Sequence, residues 1–295
     1  MDISIRQCIR NFFGNEIQIK GRVPVSGGDI NQAYRLDLSD GNSVFLKVNR
    51  PDLEDMFHAE KEGLAALAAS GAIAVARPLF AGKDPEESIS YLLLEYVQEG
   101  SPFGSFWEDF GRSLALMHRQ NTDTFTPGGR FGFTRNNYIG RTPQSNTTYN
   151  LFVPFFRKER LLPQIRMADQ WFDKKDYSAI ERLLDRLDEL LIEPAFPSLL
   201  HGDLWAGNFL SDTEGKAVLI DPAAYVGCAE ADLAMTELFG GFSSRFYDGY
   251  REVTSIAYGY EDRKDLYNLY HLLNHLNLFG SGYLSSVRRI LYRYG

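Results

Sequence analysis

At 295 residues, 44% hydrophobic and 24% charged, the chain has the length for two lobes and a sizeable core. Its formal net charge of −8 excludes a general nucleic-acid binder, which needs a basic surface against phosphates. No run reaches the ~18 apolar residues of a membrane span, MDISIRQCIRNFF shows no uninterrupted apolar h-region or small-residue cleavage site, and Cys8 and Cys228 lie far apart with no partners at metal spacing; a cytoplasmic protein in a reducing compartment is expected.

Residues 3 to 13 carry Ile5, Cys8, Ile9, Phe12 and Phe13 at near-helical spacing, which predicts a short amphipathic helix. Three strands follow at 17–25, 32–38 and 43–49. The link between the first two is the turn SGGDIN, and SDGN between the next two predicts a hairpin because Asp-Gly tolerates positive φ. A helix is expected from Glu54 to Ala69, with Phe57, Leu64 and Leu67 along one side and Gly71 as its stop. Residues 77–81 and 90–97 predict two more strands, the second so apolar that both its faces must be covered. QEGSP at 98–102 then breaks the pattern.

Beyond this break, helices are expected at 104–119, 150–170, 177–192, 230–240 and 262–291, with short apolar runs and turns over 199–221. The domain organisation that follows is an N-lobe over 1–97, a hinge region at 98–102 and a C-lobe over 103–295. The fold class is α+β: a small five-stranded antiparallel N-lobe and a larger, mainly helical C-lobe.

The stretch LLHGDLWAGNFL sets His201, Asp203 and Asn208 at fixed intervals, and Asp221 ends an apolar run eighteen residues after Asp203. Phosphoryl transfer needs such a set. One carboxylate orients the attacking hydroxyl and accepts its proton, while a second carboxylate and an amide oxygen hold Mg²⁺ against nucleotide phosphates. Asp203 is the candidate base, with Asn208 and Asp221 as candidate metal ligands. The Asp-x4-Asn spacing matches the catalytic loop of protein kinases, with Gly202 in place of the usual Arg and Asp221-Pro-Ala in place of Asp-Phe-Gly. Taken alone, Asp and Asn at this spacing also close ordinary turns.

Two upstream features are required by the same chemistry. Lys47 lies in VFLKV on the third strand, where an ammonium is either solvated at an edge or paired. Glu60, thirteen residues on, is the expected partner because it falls near the apolar side of its helix; Glu62 is the rival. Gly27 and Gly28 in SGGDIN permit close approach of backbone N–H groups to phosphates, and a plain hairpin turn needs the same residues.

With these residues in order, the chain resembles the fructosamine kinase family, within the protein-kinase-like small-molecule kinases that include aminoglycoside phosphotransferases and choline kinases. The resemblance rests on HGDLWAGN, Ile220-Asp-Pro-Ala223, Asp232-Leu-Ala-Met-Thr-Glu237, Arg130-Phe-Gly-Phe and Asn137-Tyr-Ile-Gly140, and runs from about residue 3 to 292. It implies a bilobal protein-kinase-like fold and ATP- and Mg²⁺-dependent phosphorylation of a sugar hydroxyl on a ketoamine, free or protein-bound, in deglycation repair. It also implies roles for residues: Asp203 as base, Asn208 and Asp221 on Mg²⁺, Lys47 with Glu60 on phosphates, and Glu95 and Val97 offering backbone groups to adenine. Asp232, with His201, would support the catalytic loop. Trp205 would stack on a sugar face or pack as a core aromatic. Many relatives carry a phosphate-loop cysteine; Ser26-Gly-Gly-Asp29 has none, so thiol regulation of that loop is not expected here.

Two other kinase readings stay open: a kinase for another small molecule such as an aminoglycoside, amino sugar or choline-like compound, and a catalytically silent nucleotide-binding pseudokinase. His271 and His275 sit four apart on an expected helix, but no HExxH motif or third ligand accompanies them, so zinc is not expected.

Overall fold

The computed structural model describes residues 2–26 and 30–295, so Gly27, Gly28 and Asp29 of the expected phosphate loop lie outside the described residues. Packing divides the chain into two compact units, Met1–Phe106 with Phe209–Pro222, and Trp107–Asn208 with Ala223–Gly295. The sequence alone assigns everything after residue 102 to the helical lobe, whereas Phe209–Pro222 packs with the first unit.

The first unit begins with helix α1 (Ile5–Phe13), capped by Ser4 Oγ accepting from the Gln7 N–H at 3.3 Å. Strands β1 (Ile19–Val25), β2 (Gln32–Leu38) and β3 (Ser43–Asn49) follow, then α2 (Glu54–Ala69), β4 (Ala74–Val75), β5 (Pro78–Asp84) and β6 (Ile89–Glu95). Five of the strands form one antiparallel sheet in the order β1-β2-β3-β6-β5. The hairpin between β2 and β3 closes where SDGN stands: Gly41 takes φ of 90°, and the Asn42 N–H donates to Asp40 Oδ1 at 3.0 Å.

Strand β6 is apolar from Tyr91 to Leu94 because both its faces are covered there. Tyr91 and Leu93 pack with Ile5, Cys8 and Ile9 of α1, while Leu92 and Leu94 pack with Phe57 and Leu64 of α2. The same alternation on β3 puts Leu46 and Val48 on the α1 side and Phe45 on the α2 side. Lys47 shares the pleat direction of Phe45, which turns its side chain towards α2. A second, three-stranded sheet joins Phe209–Ser211 to Ala217–Leu219 antiparallel, and the latter to β4 in parallel. Leu219 thereby enters the first unit, with Asp221 two residues further on.

The second unit is mainly helical. Its longest helix, Tyr260–Phe279, buries Leu266, Tyr267, Leu269, Tyr270, Leu273 and Leu276 and packs on the helices Ala229–Leu238 and Leu284–Tyr294. The sequence reads 262–291 as one helix; Gly280, at φ of 89°, ends it after Phe279 and a new helix starts at Leu284. The helix expected at 177–192 begins instead at Lys174, since Asp173 and Asp176 form a capping box there. Ser244–Val253 is a further helix that the sequence reading leaves out, as are the short strands Asn137–Ile139, Thr142–Gln144 and Tyr225–Gly227.

Candidate active site

Within the first unit, Lys47 is 6% exposed and its Nζ lies 2.6 Å from Glu60 Oε1. Its second ion-pair partner is Asp221 Oδ1. Burial works to lower the Lys47 pKa, but the Asp221 and Glu60 carboxylates outweigh it and hold the ammonium above its ordinary value. Burial raises the Glu60 pKa, with Lys47 opposing. Asp221 takes φ of 54°, in the left-handed region where a non-glycine residue is uncommon, though Asp enters it more readily than most. Its side chain is 44% exposed while that of Lys47 is buried, so the carboxylate stands between the cation and solvent.

At the end of β6, the Glu95 carboxylate pairs with Arg77 and its N–H donates to the Arg77 carbonyl at 2.9 Å. Val97, two residues on, packs against the cluster of Phe57, Leu92 and Leu94.

In the second unit, strand Ser198–Leu200 leads into His201, Gly202 and Asp203. Gly202 takes φ of 79°, and a Cβ there would meet the Ala223 carbonyl oxygen at 2.2 Å, so the chain can turn here only without a side chain. The turn is pinned from below by Asp232, a fully buried residue of helix Ala229–Leu238. Its carboxylate accepts from the His201 N–H at 2.7 Å, from the Gly202 N–H at 2.9 Å and from His118 Nε2 at 3.2 Å. Burial pushes the Asp232 pKa up, but these donors prevail and hold it below the usual carboxylate range. His118 is itself oriented by the Tyr250 hydroxyl, 2.9 Å from its Nδ1.

Beyond the turn, Asn208 Nδ2 donates to the Asp203 carbonyl at 2.8 Å and to Asp203 Oδ2 at 3.1 Å. The Asp203 side chain is 20% exposed. On its other side stands His271, whose Nδ1 is 3.9 Å from Asp203 Oδ1. Trp205 is 39% exposed, with its ring over Gly207 and edge-on to Phe239 at 6.3 Å. It is therefore no core aromatic.

The structure thus gathers Lys47, Glu60 and Asp221 in one unit, and His201, Asp203, Asn208 and Asp232 in the other. Sequence reasoning missed His118, which carries no local motif, and set aside His271 after testing it only as a zinc ligand. Its companion His275 is turned back on its own helix, with Nδ1 donating to the His271 carbonyl at 2.8 Å.

Replacing Asp232 by Ala is expected to cost about 3 kcal/mol in chemical denaturation, because two buried N–H donors and a buried imidazole lose their acceptor. Since the folded pKa of Asp232 is depressed, its stabilisation is complete above the unfolded value of about 4 and fades as pH falls through the folded one. The stability difference between wild type and Asp232→Ala should therefore be constant near neutrality and shrink in acid.

Comparison with known proteins places this geometry. The sequence profile of the fructosamine kinase family matches residues 1–294. A probable ketoamine kinase from Synechocystis is 39% identical over 289 residues, covering 98% of this chain and 95% of the relative. A chloroplastic protein-ribulosamine 3-kinase from Arabidopsis thaliana is 40% identical over 283 residues, covering 94% of this chain and 83% of that protein. Among solved structures, a putative fructosamine-3-kinase from Haemophilus somnus superposes with a TM-score of 0.86 at 27% identity, covering 99% of this chain and 96% of that one.

Proposed function

The chain belongs to the fructosamine kinase family, and on that premise we propose that it moves the γ-phosphoryl group of ATP to a sugar hydroxyl of a ketoamine, with Asp203 as the base. The observation that carries the reading is the loop at Asp203: a carboxylate reachable from solvent, on a backbone turn that Asp232 holds from beneath. A base that must accept a proton from a positioned hydroxyl needs both properties.

In this reading Asp203 accepts the hydroxyl proton as the sugar oxygen bonds to the γ-phosphorus. The bond from that phosphorus to the β–γ bridging oxygen breaks, and ADP leaves. Lys47, held by Glu60, neutralises α- and β-phosphate oxygens. Val97 fits the adenine role because, among the described residues, its backbone N–H and carbonyl take no part in a hydrogen bond. Glu95 fits it only through its carbonyl, its N–H being engaged by Arg77.

Asn208 and Asp221 are assigned to Mg²⁺. The Asn208 amide N is turned to Asp203, which leaves the carbonyl oxygen as its ligand end, and the Asp221 carboxylate reaches solvent. Such hard oxygen donors suit Mg²⁺. When bound, the ion neutralises charge on the β- and γ-phosphate oxygens. Ketoamines are glycation adducts, so the biological role that fits is deglycation in the cytoplasm.

The test is phosphate transfer from Mg-ATP to fructosyl-lysine, ribulosyl-lysine and, as a control, an aminoglycoside. Transfer to a ketoamine and none to the aminoglycoside is the expected result. ATP binding without transfer to any ketoamine would sink the proposal in favour of another acceptor or a silent kinase.

A further inference from the structure

His271 is 4% exposed, yet among the described residues its Nδ1 has no hydrogen-bond partner. A buried polar nitrogen left unpaired costs free energy, so its retention calls for an explanation. The nearest carboxylate oxygen is Asp203 Oδ1, at 3.9 Å. That is beyond a hydrogen bond, which for nitrogen and oxygen spans about 2.7–3.2 Å. It is also short enough for one interposed oxygen atom to bond to both.

The position of the ring is set firmly. It lies edge-on to Tyr270 at 5.1 Å, on the same helix, and the Tyr270 hydroxyl donates to Gln144 Oε1 at 2.5 Å. Gln144 Nε2 in turn donates to the Ala223 carbonyl at 3.1 Å, on the segment against which the Gly202 turn is packed. One network therefore ties Tyr270, the ring against which the imidazole rests, to the segment that packs on the turn carrying Asp203. Burial lowers the His271 pKa to about 3, with His275 and the buried Arg160 guanidinium adding to it and Asp232 opposing. At neutral pH the imidazole is uncharged and holds one N–H donor.

We propose that His271 is an acceptor-binding residue: its Nδ1 and Asp203 Oδ1 share one hydroxyl of the sugar to be phosphorylated. The carboxylate accepts the proton of this hydroxyl, and Nδ1–H donates to its oxygen, leaving the second lone pair to attack phosphorus. A neutral donor suits this place. An imidazolium would bind Asp203 directly and remove its basicity, whereas the uncharged ring orients the hydroxyl and leaves the base intact.

The inference rests on the ketoamine kinase reading, and the experiment separates the two. Initial rates with a ketoamine acceptor are measured for wild type, His271→Leu, His271→Asn and His271→Gln, with KM for ATP and the melting temperature recorded for each. Asn sets an amide where Nδ1 stands, Gln sets it a bond further out, and Leu supplies none.

The expected result is a fall of about 10–100-fold in kcat/KM for the acceptor in the Leu variant, the size of a lost hydrogen bond at a buried site. The Gln variant should fall similarly and the Asn variant should recover most of the loss, with KM for ATP unchanged throughout. Acceptor kinetics in the Leu variant equal to wild type would overturn the proposal. So would an Asn variant as impaired as Gln, which would show a packing role; this comparison stands even if the Leu variant does not fold. A wild type that phosphorylates no ketoamine defeats the functional reading itself, and this inference with it.

Discussion

Asp203→Ala should fold like the wild type and lose about 10²–10⁴-fold in kcat, the range over which a positioned base contributes. The two halves of this expectation have separate structural grounds. The turn is held through backbone N–H groups of His201 and Gly202 that donate to Asp232, and none of these bonds uses the Asp203 side chain. Asn208 keeps its bond to the Asp203 carbonyl when the carboxylate is gone. What the substitution removes is a carboxylate that accepts from Asn208 and faces His271. KM for ATP should change little, and the melting temperature should stay within a few degrees of wild type. Steady-state kinetics beside a thermal melt decide it: turnover within tenfold of wild type would remove Asp203 from its role as base.

Lys47→Met is the other substitution with a large expected effect, and it acts on activity and stability together. Removing the ammonium leaves Glu60 buried beside an apolar side chain, and Asp221 without its cation. Breaking a buried pair from one side costs about 3–5 kcal/mol, and the solvent exposure of Asp221 places this case towards the lower end. Activity should fall by about 10²–10³-fold, as when a single charge-stabilising donor is removed from a transition state. The double variant Lys47→Met/Glu60→Leu separates the effects. Its stability should return towards wild type because no buried carboxylate remains unpaired, while its activity should stay lost. Chemical denaturation and initial rates on the three proteins check both. Recovery of activity in the double variant would show that Lys47 serves only to neutralise Glu60.

Much of the first unit was legible because its signals are local. Alternation in VFLKV, the Asp-Gly hairpin, and the helical spacing from Glu54 to Ala69 each act within a few residues, and β2, β3 and α2 stand where that reading puts them. The preference for Glu60 over Glu62 followed from helical geometry alone, and the Lys47–Glu60 pair has that form. The helical unit was less legible. A glycine break at Gly280 hides inside a long amphipathic run, while helix Ser244–Val253 does carry Phe246, Tyr250 and Val253 at helical spacing, a local signal that the sequence reading passed over.

The sequence by itself determined which chemistry the chain can perform. Phosphoryl transfer calls for a lysine, carboxylates and an amide, and Lys47 with the spacing of His201, Asp203, Asn208 and Asp221 presents that set in order. Only the tertiary structure decided which distant groups serve those residues. Asp221 reaches Lys47 across 174 positions, Asp232 lies under a turn 30 residues upstream, and His118 and His271 approach from helices far off in sequence. Nothing local marks such partners, because each contact is bought with loop-closure entropy and repaid by the packing of whole elements around it.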